Sequence, residues 1–163
     1  MEMIEMTKND LGKDVRNKMV GILNANLADA IDMTLQAKQA HWNVKGPSFF
    51  QLHELFDKVY EEATGWVDLL AERAVQLGGV ADGRLQNAAQ HSRLPQYGRD
   101  LLSGNDHVDA LSGSLAVFCR AVRQGIESAD KAGDAGTADL FTEISRGADK
   151  MLWFVEAQLH ADR

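Results

Sequence analysis

His41 to Gly79, HWNVKGPSFFQLHELFDKVYEEATGWVDLLAERAVQLGG, is the stretch that decides how this chain folds. It reads as the end of one helix, a tight break, and one long second helix. The break is Lys45-Gly46-Pro47-Ser48: glycine supplies positive φ at low cost, and Pro47 cannot continue the preceding helix. Ser48 followed by Gln51 fits a capping box, so the second helix is expected to begin there and to stop at Gly78-Gly79. At about 100° per residue, His53, Asp57, Asp68 and Glu72 fall within an arc of roughly 100° on one face of that helix. At about 1.5 Å rise per residue, His53/Asp57 nevertheless lie roughly 22 Å from Asp68/Glu72. One copy of the helix cannot gather both pairs into a single site. Two copies packed antiparallel about a two-fold axis can, and the symmetry then makes two identical sites.

Outward from this stretch the rhythm stays helical. Before it, Met19/Val20, Leu23, Leu27, Ile31, Leu35 and Trp42 recur at the spacing of an amphipathic helix from about Asp14 to Asn43. Residues 1–12 read as a mobile arm with balanced charge. After the stretch, 78–105 is rich in turn residues and is long for a connection, with a short helix expected around Arg84 to Ala89. Its length lets the next helix start at the same end as the second. That helix, about Asp106 to Lys131, shows Val108, Leu111, Leu115, Phe118, Val122 and Ile126; Ala132 to Gly136 breaks it. The last, about Thr137 to Leu159, shows Leu140, Ile144, Met151, Leu152, Val155 and Leu159. No stretch alternates like a strand. The expectation is an all-α single domain over 1–163: four long helices with one long crossover and a short extra helix inside it.

Composition narrows the function. A net charge of -7 argues against a large nucleic-acid-binding face. Cys119, the single cysteine, sits in an apolar run and excludes an intrachain disulfide. The N-terminus has no apolar core of a signal peptide, and no run approaches the ~18 apolar residues of a membrane span, so a cytoplasmic protein is expected. Nucleophile elbows, HExxH and phosphate-binding glycine loops are absent from the sequence.

What remains is the cluster of His41, His53, Asp57, Asp68 and Glu72. Imidazole and carboxylate ligands suit Fe(II), Mn(II) or Zn(II), and few ligands per metal leave coordination positions open for an oxidant. Trp42, beside His41, is a candidate electron donor. Spacing alone leaves the bland alternative open, because His–Asp and Asp–Glu pairs at i,i+4 also decorate solvated helices.

At these residues the chain resembles the DNA-protection-during-starvation (Dps) mini-ferritins. The likeness runs from about Met19 to Ala157. Its strongest parts are Lys38 to Gly46 (KQAHWNVKG), Leu52 to Asp57 (LHELFD), Asp68 to Gly79 (DLLAERAVQLGG) and Asp149 to Phe154 (DKMLWF). The resemblance implies a ferritin-like bundle assembled as a dodecamer of two-fold dimers around an iron-storing cavity. It implies ferroxidase sites between subunits, with His41, His53 and Asp57 from one and Asp68 and Glu72 from the other. The implied reaction is oxidation of Fe(II), with hydrogen peroxide preferred over dioxygen, followed by storage of Fe(III), which protects DNA and cell. Zinc and manganese suit the same ligands. The family's acidic iron-entry pore matches Asp134, Asp139 and Glu143. Members that bind DNA tightly often carry a lysine-rich tail; without one, DNA binding is expected to be weak, while the resemblance leaves nucleoid association open. The rival expectation is a DNA-compacting structural protein with little ferroxidase activity. Glu-x-x-His, the di-iron motif of ferritins proper, is absent from the sequence.

Overall fold

The computed structural model describes residues 6–159, and among them the ordered elements are all helical. They are α1 (Lys13–Asn43), α2 (Phe49–Gln76), α3 (Leu85–His91), α4 (Gly104–Ala132) and α5 (Ala135–Glu156). Each long helix buries one apolar stripe. On α2 the stripe is Leu52, Phe56, Val59, Ala63, Trp66, Leu70 and Ala74, and on α5 it is Phe141, Ile144, Ala148, Met151 and Val155. α1 packs along α2 and α4 along α5; contacts between α1 and α4 and between α2 and α5 close the bundle. Trp66 lies deep inside, stacked on Phe118 with ring centroids 5.3 Å apart. Leu35, expected on the inner stripe of α1, is instead exposed.

Helix ends differ from the sequence expectation in instructive ways. Ser48 makes no side-chain cap; the turn closes through backbone bonds from Phe49 N–H to Gly46 and from Leu52 N–H to Ser48. A side-chain cap sits on α4 instead. Ser103 Oγ accepts from Asp106 N–H and donates to the Asp106 carboxylate, so α4 begins two residues before Asp106. α5 likewise starts at Ala135, because Asp134 caps it by accepting from Thr137 N–H. Gly133 ends α4 at φ 77°, where other residues are strained. Of the expected arm, residues 1–5 lie outside the described residues. Leu11 rests against the core, and its carbonyl accepts from Arg16 Nε.

The crossover is held along its length. Arg16 donates to the Leu77 carbonyl, Asn24 to that of Val80 and Gln36 to that of Pro95, while Arg93 pairs with the fully buried Asp29. Lys45 N–H finally donates to the Leu102 carbonyl. The partners climb α1 in step with the crossover, so the connection returns roughly 40 Å along α1 and delivers α4 beside the start of α2. Gly104 meets Leu52 there so closely that a Cβ would lie 2.5 Å from its methyl carbon.

Beneath this junction lies His107, 1 % exposed, between the rings of Phe56 and Tyr97. Its Nδ1 is 2.8 Å from the Tyr97 hydroxyl, and its Nε2 has no well-formed hydrogen bond. Burial lowers the imidazole below its ordinary pKa, against a smaller upward pull from the Leu101 and Asn43 carbonyls and Asp106. The unfolded chain therefore takes up this proton first as pH falls. Stability is whole above the ordinary histidine value and declines below it, by at most about 1.4 kcal/mol per pH unit for this one group. Urea unfolding at pH 7 and pH 5 should show a smaller loss in His107→Gln than in wild type. Equal pH slopes would remove His107 as a source. A second expected outcome concerns the α4–α5 seam, where a Cβ on Gly125 would lie 2.9 Å from three carbons of the buried Phe141 ring. Gly125→Ala should cost about 1–3 kcal/mol of stability by overpacking, readable as a lowered denaturant midpoint.

Candidate metal centre

The α1–α2 turn brings His41, at the last turn of one helix, against His53, at the second turn of the next. Their rings stack with centroids 3.6 Å apart and an interplanar angle of 21°. His41 Nδ1 lies 2.8 Å from the His53 carbonyl oxygen, and His53 Nδ1 lies 2.8 Å from that of His41. A backbone carbonyl can only accept, so each Nδ1 carries a proton. In the neutral rings each Nε2 then keeps a lone pair, the form in which imidazole binds a metal. Both rings are partly buried, which restricts their rotation.

Asp57, one turn beyond His53, completes the cluster within this chain. Its Oδ1 is 3.9 Å from His41 Nδ1 and receives a direct hydrogen bond from Lys38 Nζ. That hydrogen bond is the main reason the Asp57 carboxyl lies below the ordinary carboxylate pKa, with desolvation opposing it and the charge of Lys38 assisting. Lys38 stands three residues before His41, so helical periodicity already put the two on one face. The missing step was to set that face against Asp57.

Asp68 and Glu72 are exposed on the same helix, well beyond the His53/Asp57 pair. Among the described residues of a single chain, no three His, Cys, Asp or Glu side chains converge as a metal site. Arg73, also unremarked in the sequence, fixes the turn that carries Glu72. It donates to Thr137 Oγ1 and to Asp134 Oδ1, both at 2.9 Å, and Gly136 leaves room for its guanidinium.

Of the three expected pore acids, Asp134 is 2 % exposed and engaged by Arg73 and Thr137, whereas Asp139 and Glu143 face solvent. Trp42 is 67 % exposed beside His41. Cys119 is buried, and burial pushes its thiol up to about 12, so it brings no thiolate to any site. No helix among the described residues is long and apolar enough to cross a membrane.

Comparison with known proteins agrees with this architecture. Residues 20–163 match the Ferritin-like domain family. The DNA protection during starvation protein of Agrobacterium fabrum is 45 % identical over 153 residues, covering 94 % of each chain. Among solved structures, DpsC from Streptomyces coelicolor superposes with a TM-score of 0.94 at 28 % identity, covering 99 % of this chain and 94 % of that one. A Dps protein from Vibrio cholerae O1, described as a member of a broad superfamily of ferritin-like diiron-carboxylate proteins, gives 0.88 at 25 % identity, covering 96 % of this chain and 99 % of that one. With five helices in this arrangement among the described residues and such likeness over nearly its whole length, the chain belongs to the ferritin-like proteins and, among them, to the DNA-protection-during-starvation family.

Proposed function

We propose that the protein is a ferroxidase and iron store whose sites form between two copies of the chain. His41, His53 and Asp57 of one copy hold Fe(II) together with Asp68 and Glu72 of a second copy packed antiparallel on α2. The observation that carries this reading is the reciprocal His41–His53 bonding, which commits both Nδ1 protons to backbone and leaves both Nε2 lone pairs available to a metal. A merely solvated helix face has no need of that arrangement. Exposed Leu35, Phe50, Val75 and Leu85 on α1, α2 and α3 offer apolar area for the second copy to cover.

The ligands suit the chemistry. Imidazole and carboxylate bind Fe(II), and carboxylates favour the harder Fe(III) product. Hydrogen peroxide, the preferred oxidant, takes one electron from each of two Fe(II) ions and two protons from solvent, leaving as two waters; no hydroxyl radical is released. Fe(III) then passes to a mineral inside a dodecamer, with Asp139 and Glu143 drawing Fe(II) inward and Asp134 setting the start of their helix. Trp42 is the reserve electron donor. The Lys38 hydrogen bond holds the Asp57 carboxyl below the ordinary carboxylate range, so it is ionised at neutral pH, as a ligand must be. The DNA-compacting alternative draws on the name of the Agrobacterium relative, but a net charge of -7 opposes phosphate contact, so DNA protection is assigned chiefly to removal of iron and peroxide.

The decisive test is complementation. Subunits with His41→Ala/His53→Ala and subunits with Asp68→Ala/Glu72→Ala should each form oligomers that oxidise anaerobically loaded Fe(II) slowly on adding peroxide. Co-assembled in equal amounts, they should recover about a quarter of the wild-type sites, because each mixed two-fold dimer holds one intact site. Recovery no better than the average of the parents would rule out a shared site. Trp42→Phe should raise the yield of spin-trapped radical when peroxide exceeds bound iron; an unchanged yield would remove Trp42 from the scheme.

A further inference from the structure

Tyr97 and His107 form a pair that the interface chemistry leaves unused. The phenol oxygen lies 2.8 Å from His107 Nδ1, with the two ring planes 20° apart. A phenol taken out of water needs a hydrogen-bond partner, and an amide would serve for that alone. Here the partner is a base, itself 1 % exposed. The Leu101 and Asn43 carbonyl oxygens favour its protonated form, although burial outweighs them and keeps the resting ring neutral. The phenol does not simply ionise, since burial pushes it above its ordinary pKa. His107 also faces the ring of Phe56, with centroids 6.2 Å apart. Phe56 is fully buried and stands directly before Asp57 and three residues after His53. Tyr97, His107 and Phe56 thus make a line of rings from the crossover to the turn of α2 that carries two candidate ligands.

We propose that Tyr97 is a reversible electron store for the peroxide reaction, with His107 as the base that takes and returns its proton. The inference rests on the interface reading above and adds what happens when a site holds a single Fe(II). Hydrogen peroxide needs two electrons and two protons to leave as two waters. One electron comes from Fe(II), which becomes Fe(III), and the other from Tyr97; both protons come from solvent. A phenol that has lost an electron is a strong acid. Its O–H bond breaks and the proton crosses to His107 Nδ1, which lies within transfer reach. The products are two waters, Fe(III), a neutral tyrosyl radical and an imidazolium. The next Fe(II) to bind gives its electron to the tyrosyl oxygen, and His107 returns the proton. Both oxidising equivalents of the peroxide then end in iron. Trp42, 67 % exposed, leaves an oxidised ring open to solvent, whereas Tyr97 has a base that keeps its proton for the return.

The test loads the assembled full-length protein anaerobically with one Fe(II) per site, adds one hydrogen peroxide, and freezes the sample for electron paramagnetic resonance. The chain has only two tyrosines, Tyr60 and Tyr97, so assignment is direct. In a Trp42→Phe background a tyrosyl signal should form, survive Tyr60→Phe, and vanish in Tyr97→Phe, which keeps the ring and its packing. A second Fe(II) should quench it. His107→Gln still accepts a hydrogen bond from the phenol but takes no proton, so the signal should be lost while the oligomer persists. A metal-free measurement checks the base: solid-state nitrogen NMR of histidine-labelled protein should find the resting His107 proton on Nε2, with Nδ1 left to accept. The proposal is overturned, with the shared site left standing, by Fe(II) oxidation without a tyrosyl signal, by a signal that survives Tyr97→Phe or folded His107→Gln, or by a resting proton on Nδ1. A Tyr97 signal undiminished by Asp68→Ala/Glu72→Ala would instead overturn the interface reading and the proposal with it.

Discussion

Two imidazoles, each giving its Nδ1 proton to the other's backbone carbonyl, clamp the last turn of α1 to the early turns of α2. Much else is arranged around that clamp. Gly46 at φ 119° reverses the chain in so few residues that the two rings must meet. The meeting fixes the pairing of α1 with α2, and with it the face that α2 turns to the core. Buried carbonyl oxygens need donors; here the donors are the candidate ligands themselves, so the bonds that close the fold also orient the site. Structure and chemistry share the same protons.

Other polar groups inside the bundle tie its connections and helices in place. Asp29 is fully buried, yet both its oxygens are met by Arg93 from the crossover. Gln36 links the crossover to Ser114 on α4, and Asp134 is met by Arg73 and Thr137. Asp29–Arg93 and Arg73–Asp134 each tie one connection to one long helix. Removing a single partner would strand a buried charge, which is far costlier than the pair's net contribution. Such pairs specify register more than they add stability. They explain how a crossover with so little regular structure can hold a defined path along α1.

How much of this was legible in the sequence follows from the range of each interaction. The helices were, because their apolar periodicity is local and strong, and so was the crossover, because its turn residues stand together. The five candidate ligands stand out in the sequence by type and spacing, and the rise of one helix is what motivates the proposed second copy. Helix starts were less so. Ser48 with Gln51 and Ser103 with Asp106 look alike on paper, yet only Ser103 caps, since at Ser48 the Gly46–Pro47 turn already supplies the backbone bonds. Lys38 with Asp57 and Arg73 with Asp134 were hidden because each joins different helices. A single sequence shows which face a residue occupies but not which face it meets. Asp134 looked like a free acid for the same reason.

The separation of the ligand pairs along α2 has a consequence for assembly. On the proposed reading, a lone chain holds two histidines and one carboxylate already engaged by a lysine, which is a poor site for a divalent ion. The carboxylates needed to complete it arrive only with a second copy. Metal binding and association then stabilise each other by equal amounts, as linkage requires. Iron would strengthen the interface that holds it, and a dissociated subunit would bind little. The proposed chemistry would thereby be confined to the assembled shell, where the Fe(III) formed would have an interior to enter. A site built inside one bundle, as in ferritins proper, has no such dependence. On the proposed reading, separating His53/Asp57 from Asp68/Glu72 along α2 makes assembly a condition of reactivity.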